Sequence, residues 1–124
     1  MKKYNILNEI NKAVDSHILV IVEGKKDKKA LEKIGFENIF ILHGRPLYVQ
    51  IEKISSEVKE CIILTDFDKK GKQLYHWLKK ELVKNGVRIN DRLRRVILGE
   101  KVSHIEGLAT FIQNQNRKKV RLIA

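Results

Sequence analysis

Three carboxylates in this chain sit where chemistry can be done. Glu23 follows the apolar run His17-Ile18-Leu19-Val20-Ile21-Val22, and Asp66 and Asp68 follow a second apolar run, Cys61-Ile62-Ile63-Leu64. Continuous β-branched runs of this kind read as strands buried on both faces of a parallel sheet. Ligands of open parallel sheets bind outside the carboxyl ends of the strands. Side chains two residues apart in extended chain point the same way, so Asp66 and Asp68 face one ion if the strand conformation persists past Leu64. If the two strands are neighbours, all three acids converge. Mutual repulsion among them would be relieved by a metal or by the lysines beside them, and Mg²⁺ suits hard carboxylate oxygens combined with water and substrate phosphates. A D-x-D pair alone is a weak signal, and a single strand-end acid is usually a solvated turn residue.

The residues beside these acids are basic or small. Lys25, Lys26, Lys69, Lys70 and Lys72 flank them and are candidate phosphate contacts, and Arg45, Arg94 and Arg95 join them. Gly24, Gly44 and Gly71 are positions where backbone can approach a ligand closely. Overall the 124 residues carry 26 Lys plus Arg against 15 Asp plus Glu, a formal charge of +11. The surplus is concentrated after Lys84, in Arg88, Arg92, Arg94, Arg95 and the Arg117-Lys118-Lys119 run. Such a field attracts phosphate backbones; a Lys-rich solvated surface is the other reading of the same charge.

The elements that position these residues alternate strand and helix. Tyr4, Leu7, Ile10 and Val14 recur at helical spacing. After the first strand, Asp27 reads as the N-cap of a helix ending at Gly35. Asn38 to Leu42 reads as a second strand, and Pro46 opens a helix with Leu47, Ile51 and Ile54 on one face. After the third strand a helix runs from about Gly71 to Lys84 with Leu74, Trp77, Leu78 and Leu82 inward, and Asn85-Gly86 ends it. Val87 to Ile89 reads as a short strand, followed by helical stretches near 92–98 and 104–113. The expected fold is an α/β open sheet of about four parallel strands with helices on both faces. One domain is expected over 1–124, with a core at about 17–90 and a basic helical extension at about 91–124.

Within this frame Ile21-Val22-Glu23-Gly24, followed by Lys25-Lys26-Asp27, resembles the first motif of the Toprim domain. Leu64-Thr65-Asp66-Phe67-Asp68-Lys69-Lys70-Gly71 resembles the D-x-D motif of the same domain, and Gly44 matches a common glycine position. Toprim domains occur in topoisomerases, bacterial-type primases, overcoming-lysogenisation nucleases, recombination-repair proteins and the ribonuclease that matures 5S ribosomal RNA. The chain looks closest to small stand-alone archaeal Toprim proteins and to that ribonuclease branch, where a stretch similar to His104-Ile105-Glu106-Gly107-Leu108 follows the domain. The resemblance implies a Rossmann-like sheet, Glu23 as general acid or base that also touches metal, and Asp66 and Asp68 as the residues holding Mg²⁺.

Topoisomerases need a nucleophilic tyrosine on a second domain. Tyr4, Tyr48 and Tyr75 all fall in helical patterns that favour packing. The expected function is therefore Mg²⁺-dependent phosphodiester chemistry, nuclease or nucleotidyl transfer, on RNA or DNA, with structured RNA foremost. The alternative is a Mg²⁺- and nucleic-acid-binding module that serves as a subunit of a larger assembly, with a protein partner or a second copy of the chain. A receiver-type signalling domain fits the length and alternation but pairs two acids after its first strand, where this chain has Glu23-Gly24.

Cys61 and Trp77 read as core. His43 reads as a loop histidine near the site or an ordinary one. His17, His76 and His104 have no zinc-ligand spacing with Cys61, and Glu106 reads as an acid behind the metal site or as a helix-surface residue. A lone cysteine, no apolar leader and no run near the roughly 20 residues that span a bilayer lead to an expected cytoplasmic location.

Overall fold

A computed structural model describes residues 5–42, 44–100 and 102–114. The chain runs α1 (Ile6–Ser16), β1 (Leu19–Val22), α2 (Lys25–Ile34), β2 (Ile39–Ile41), α3 (Leu47–Glu57), β3 (Glu60–Ile63), α4 (Lys69–Lys84), β4 (Arg88–Ile89), α5 (Arg92–Leu98) and a 3-10 turn (Ile105–Gly107). A further helical stretch covers 108–114. Tyr4, His43 and the Arg117-Lys118-Lys119 run lie outside the described residues.

The four strands form one parallel sheet in the order β2-β1-β3-β4. The chain leaves β1 to one side for β2 and returns to the other side for β3. The switch point of this doubly wound sheet therefore lies between the carboxyl ends of β1 and β3.

Two-residue alternation sorts the strand side chains into two cores. Val20, Val22, Ile62 and Leu64 pack with α1, α5 and the 3-10 turn through Ile10, Leu93, Ile97 and Ile105. Leu19, Ile21, Cys61 and Ile63 pack with α3 and α4 through Ile51, Ile54, Leu78 and Leu82. A parallel sheet covered on both faces needs strands that are apolar throughout, which is the pattern of the two runs. The segment after β4 is part of the first core, since Leu93, Ile97, Ile105, Leu108 and Ile112 are all buried there. Among the described residues, no helix is long and apolar enough to cross a membrane.

Several local expectations change. His17 does not begin β1. It closes α1 in the left-handed conformation (φ 57°), its amide donating to the Val14 carbonyl. The inward face of α1 is Ile6, Glu9, Ile10 and Ala13, with Leu7 and Val14 packed only at its margin. Asp27 is not the N-cap of α2. Gly24 is, and the Asp27 carboxylate reaches back to accept from the Gly24 amide at 3.0 Å, an arrangement that satisfies a donor the helix leaves open. Gly35 ends α2 as expected, at φ 120°.

In α4 the buried positions are Gly71, Tyr75, Leu78 and Leu82. Their spacing of four, three and four fixes the inward stripe, and Trp77 lies about 100° round the helix from Leu78. Trp77 is consequently 37% exposed, and it is not core. Tyr48, expected to pack, is 67% exposed on α3.

Candidate functional site

The first link of the site is an extension of the sheet. The Leu64 amide donates to the Ile21 carbonyl at 2.8 Å. Two residues on, the Asp66 amide donates at 2.8 Å to Oε2 of Glu23. The Glu23 side chain thus stands where the next rung of the ladder would fall, fixed against the backbone of the residue it was expected to meet. Glu23 and Asp66 are half-buried, and Asp68 is exposed.

Asp68 is the N-cap of α4, and its Oδ1 accepts from the Gly71 amide at 2.8 Å. Asp66 turns Oδ1 to the Ile105 amide at 2.9 Å, while its Oδ2 lies 3.4 Å from His104 Nδ1. Oxygens of Asp66 and Asp68 and a ring nitrogen of His104 lie within 4.8 Å of one another. The two aspartates are therefore brought together as the D-x-D spacing predicts, and hard oxygen donors of this kind fit Mg²⁺. Glu23 does not belong to that set of three; its link to it is the hydrogen bond to Asp66.

The turn between β3 and α4 is held tightly. Thr65, fully buried, donates its hydroxyl to the Gly71 carbonyl at 2.7 Å. A Cβ on Gly71 would stand 2.1 Å from the Asp66 carbonyl oxygen. The close approach that requires glycine here is thus to the chain's own backbone. Gly44 needs its freedom for a different reason, a φ of 73° in the turn after β2. Gly24 is extended (φ −147°) and has ordinary room for a Cβ, 3.9 Å from Asp27.

Beside Glu23 lies an open cleft of about 590 Å³ lined by Glu23, Gly24, Lys25, Lys26, Asp27 and Glu106. Burial pushes the Asp27 carboxyl above its ordinary range, the Gly24 amide opposes this, and the negative charges of Asp66, Glu23 and Glu106 push it further up. A bound cation would relieve that shared field. The amino ends of α2 and α4 open at this same edge, and helix N-termini favour anions. Lys25, Lys26, Lys69, Lys70 and Lys72 are exposed around the two helix starts, and Arg45 and Arg95 are exposed as well.

Arg94 is the exception among the expected phosphate contacts. It is 3% exposed. Its guanidinium donates to the carbonyls of Ile63 (3.2 Å), Thr65 (2.8 Å) and Asp66 (3.3 Å), and it lies between the rings of Phe67 and Tyr75, 4.5 Å and 4.3 Å from their centroids. Arg94 braces the end of β3 from beneath and does not offer its charge to solvent. The signal was its place three residues before Ile97, on the inward face of α5. Tyr75 in turn donates to Asp91 Oδ1 at 2.6 Å, and Lys79 donates to Asp91 Oδ2 at 2.6 Å, so this tyrosine has a packing role.

Sequence reasoning missed His104 as a neighbour of the aspartates and left Glu106 open between an acid behind the site and a surface residue. Glu106 is exposed but lines the cleft with Glu23. The available signal was the His104-Ile105-Glu106-Gly107 string itself; nothing local in it says which strand end it meets.

Comparison with known proteins gives a consistent picture. The family profile described as Toprim domain matches residues 17–91. A UPF0292 protein of Methanocaldococcus jannaschii is 35% identical over 77% of this chain and 79% of its own length. A UPF0292 protein of Methanosarcina barkeri is 29% identical over 91% of this chain and 82% of its own. A solved structure of a protein from Aquifex aeolicus superposes with a TM-score of 0.72 at 28% identity, covering 82% of this chain and 93% of that one.

Proposed function

We propose, from the premise that this chain belongs to the Toprim domain family and to its small archaeal UPF0292 proteins, that it carries out Mg²⁺-dependent phosphodiester chemistry on nucleic acid. The reaction is strand cleavage or nucleotidyl transfer, and structured RNA is the foremost substrate class. The observation that carries this reading is the 2.8 Å hydrogen bond from the Asp66 amide to Glu23 Oε2. It holds a proton-transferring carboxylate beside the aspartate pair, on a chain of formal charge +11.

Asp66 and Asp68 would hold Mg²⁺, with Glu23 at its margin. The ion, when bound, supplies charge stabilisation at the phosphoryl group. Glu23 acts at its carboxylate oxygens as general base or acid, taking the proton of the attacking hydroxyl group or water, or returning one to the leaving oxygen. The hydrogen bond from Asp66 fixes one oxygen of that carboxylate and so orients the other. Lys25 and Lys26 at the start of α2, and Lys69, Lys70 and Lys72 in the first turn of α4, meet phosphate oxygens, and Arg45 and Arg95 extend the same surface. Among the described residues, Tyr75 is bonded to Asp91 and Tyr48 is exposed on α3, and neither is bonded to the three acids, so hydrolysis by an activated water is the simpler chemistry. A protein partner or a second copy of the chain would complete the recognition surface.

The test is a cleavage screen over single-stranded, duplex and hairpin RNA and DNA, with Mg²⁺ and with chelator. Cleavage is expected with Mg²⁺ and not with chelator, with losses of roughly 10²–10⁴-fold in Glu23→Gln and abolition in Asp68→Ala. Full activity in Asp68→Ala overturns the proposal. Steeply salt-dependent binding without any cutting would replace it with a binding module.

A further inference from the structure

The segment after α5 is fastened to the β3–α4 turn on either side of His104. The Phe67 amide donates to the Ser103 carbonyl at 2.9 Å, the Ile105 amide donates to Asp66 Oδ1 at 2.9 Å, and His104 stands between them. Ile105 anchors the segment from below, fully buried in the first core. His104 is therefore carried on backbone that is tied to the D-x-D turn on both sides, with its own side chain 57% exposed.

The distance between His104 Nδ1 and Asp66 Oδ2 is 3.4 Å. That is long for a charge-assisted hydrogen bond, which closes to about 2.7–2.9 Å. It is close to the separation of two adjacent ligands on one ion, which stand about 3 Å apart when the bonds are about 2.1 Å. With Asp68 included, the donor atoms span no more than 4.8 Å, and ligands opposite each other on such an ion stand about 4.2 Å apart. Small rotations of two exposed side chains close that gap.

We propose that His104 is a nitrogen ligand of the ion held by Asp66 and Asp68, so that the site takes a first-row transition ion such as Mn²⁺ ahead of Mg²⁺. Mg²⁺ prefers oxygen donors alone, whereas imidazole suits the transition metals. The inference rests on the reading of Asp66 and Asp68 as a metal site, and adds to it the ligand that sets which metal is preferred.

The experiment titrates Mn²⁺ into the full-length protein and reads the bound ion by electron paramagnetic resonance, with pulsed detection of coupling to ¹⁴N. Mg²⁺ affinity is read by competition, for wild type, His104→Gln and Asp68→Ala. Wild type is expected to bind Mn²⁺ with a nitrogen coupling. His104→Gln, with an unchanged circular dichroism spectrum, is expected to lose that coupling and bind Mn²⁺ about 10-fold or more weakly, with a far smaller change for Mg²⁺. Bound Mn²⁺ without nitrogen coupling in wild type, or coupling that persists in His104→Gln, overturns the His104 assignment and leaves the carboxylate site standing. Wild type that binds neither ion overturns both, and Asp68→Ala that binds as wild type does removes Asp68 from the site and with it the three-ligand assignment.

Discussion

Replacing Gly71 by alanine should damage stability and site together, and the structure sets the size of the effect. The new Cβ would lie 2.1 Å from the Asp66 carbonyl oxygen and 2.6 Å from its carbonyl carbon. Real Cβ atoms keep at least 3.0 Å, so Asp66 or the first turn of α4 must move by about 0.9 Å. The obstructing atoms are backbone, so no side chain can swing aside. Crowding of this kind costs about 1–3 kcal/mol. Displacing Gly71 also strains the bond from its amide to the Asp68 carboxylate, 2.8 Å long, a type worth about 1.5–3 kcal/mol. Together these give a loss of up to about 2.5–6 kcal/mol and a fall in melting temperature of roughly 10–24 °C for a chain of this size. A shift near 1 Å in a reacting group lowers turnover by about 10²-fold. The assay is thermal unfolding followed by circular dichroism, with Mn²⁺ titration of the same samples. Gly24→Ala is the comparison, because its Cβ meets Asp27 only at 3.9 Å, and it should lose no more than about 1 kcal/mol, the cost of an alanine N-cap. If Gly71→Ala melts and binds metal like Gly24→Ala, the close approach of α4 to the Asp66 backbone is wrong.

Arg94→Met leaves the carbonyls of Ile63, Thr65 and Asp66 without their buried donor; a loss of about 2–4 kcal/mol in urea unfolding is expected, and an unchanged midpoint would mean that Arg94 is no brace. Acid should unfold the protein through Glu9 and Asp91. The hydrogen bond from Arg92 holds the Glu9 carboxyl below its ordinary 4.5, against the cost of burial. Burial pushes Asp91 up, but the bonds from Lys79 and Tyr75 outweigh it and hold that carboxyl below 3.8. A depressed folded-state value means stability that is present above the ordinary value and lost as pH falls through the folded one. Stability should therefore drop below about pH 4.5, and Glu9→Gln should flatten that limb of a pH-dependent unfolding series. Cys61, fully buried with its thiol pushed up to about 12 chiefly by desolvation, should resist thiol reagents until the chain unfolds; rapid labelling of native protein would contradict the packing of β3 against α4.

Local pattern in the sequence determined the strands, most helix limits and the strand-end placement of Glu23, Asp66 and Asp68. The reason is that these features are short-range. A strand covered on both faces must be apolar at every position, as Leu19–Val22 is, and the acid that follows such a strand falls at its carboxyl end. Capping chemistry is also short-range, yet Gly24 and Asp27 exchanged their expected roles because an N-cap glycine and a carboxylate three residues on satisfy the same donor. What the tertiary structure decided is which distant groups meet. The adjacency of β1 and β3 follows from the crossover direction, and only that adjacency sets the Asp66 amide against Glu23. Arg94 and Arg95 are alike and adjacent in sequence. One is buried beneath β3 and the other exposed because packing of Leu93 and Ile97 orients α5. His104 and Glu106 reach the site because Ile105, Leu108 and Ile112 must bury their side chains in the first core. The burial of three apolar residues, which carry no chemistry themselves, is what delivers an imidazole to the aspartates.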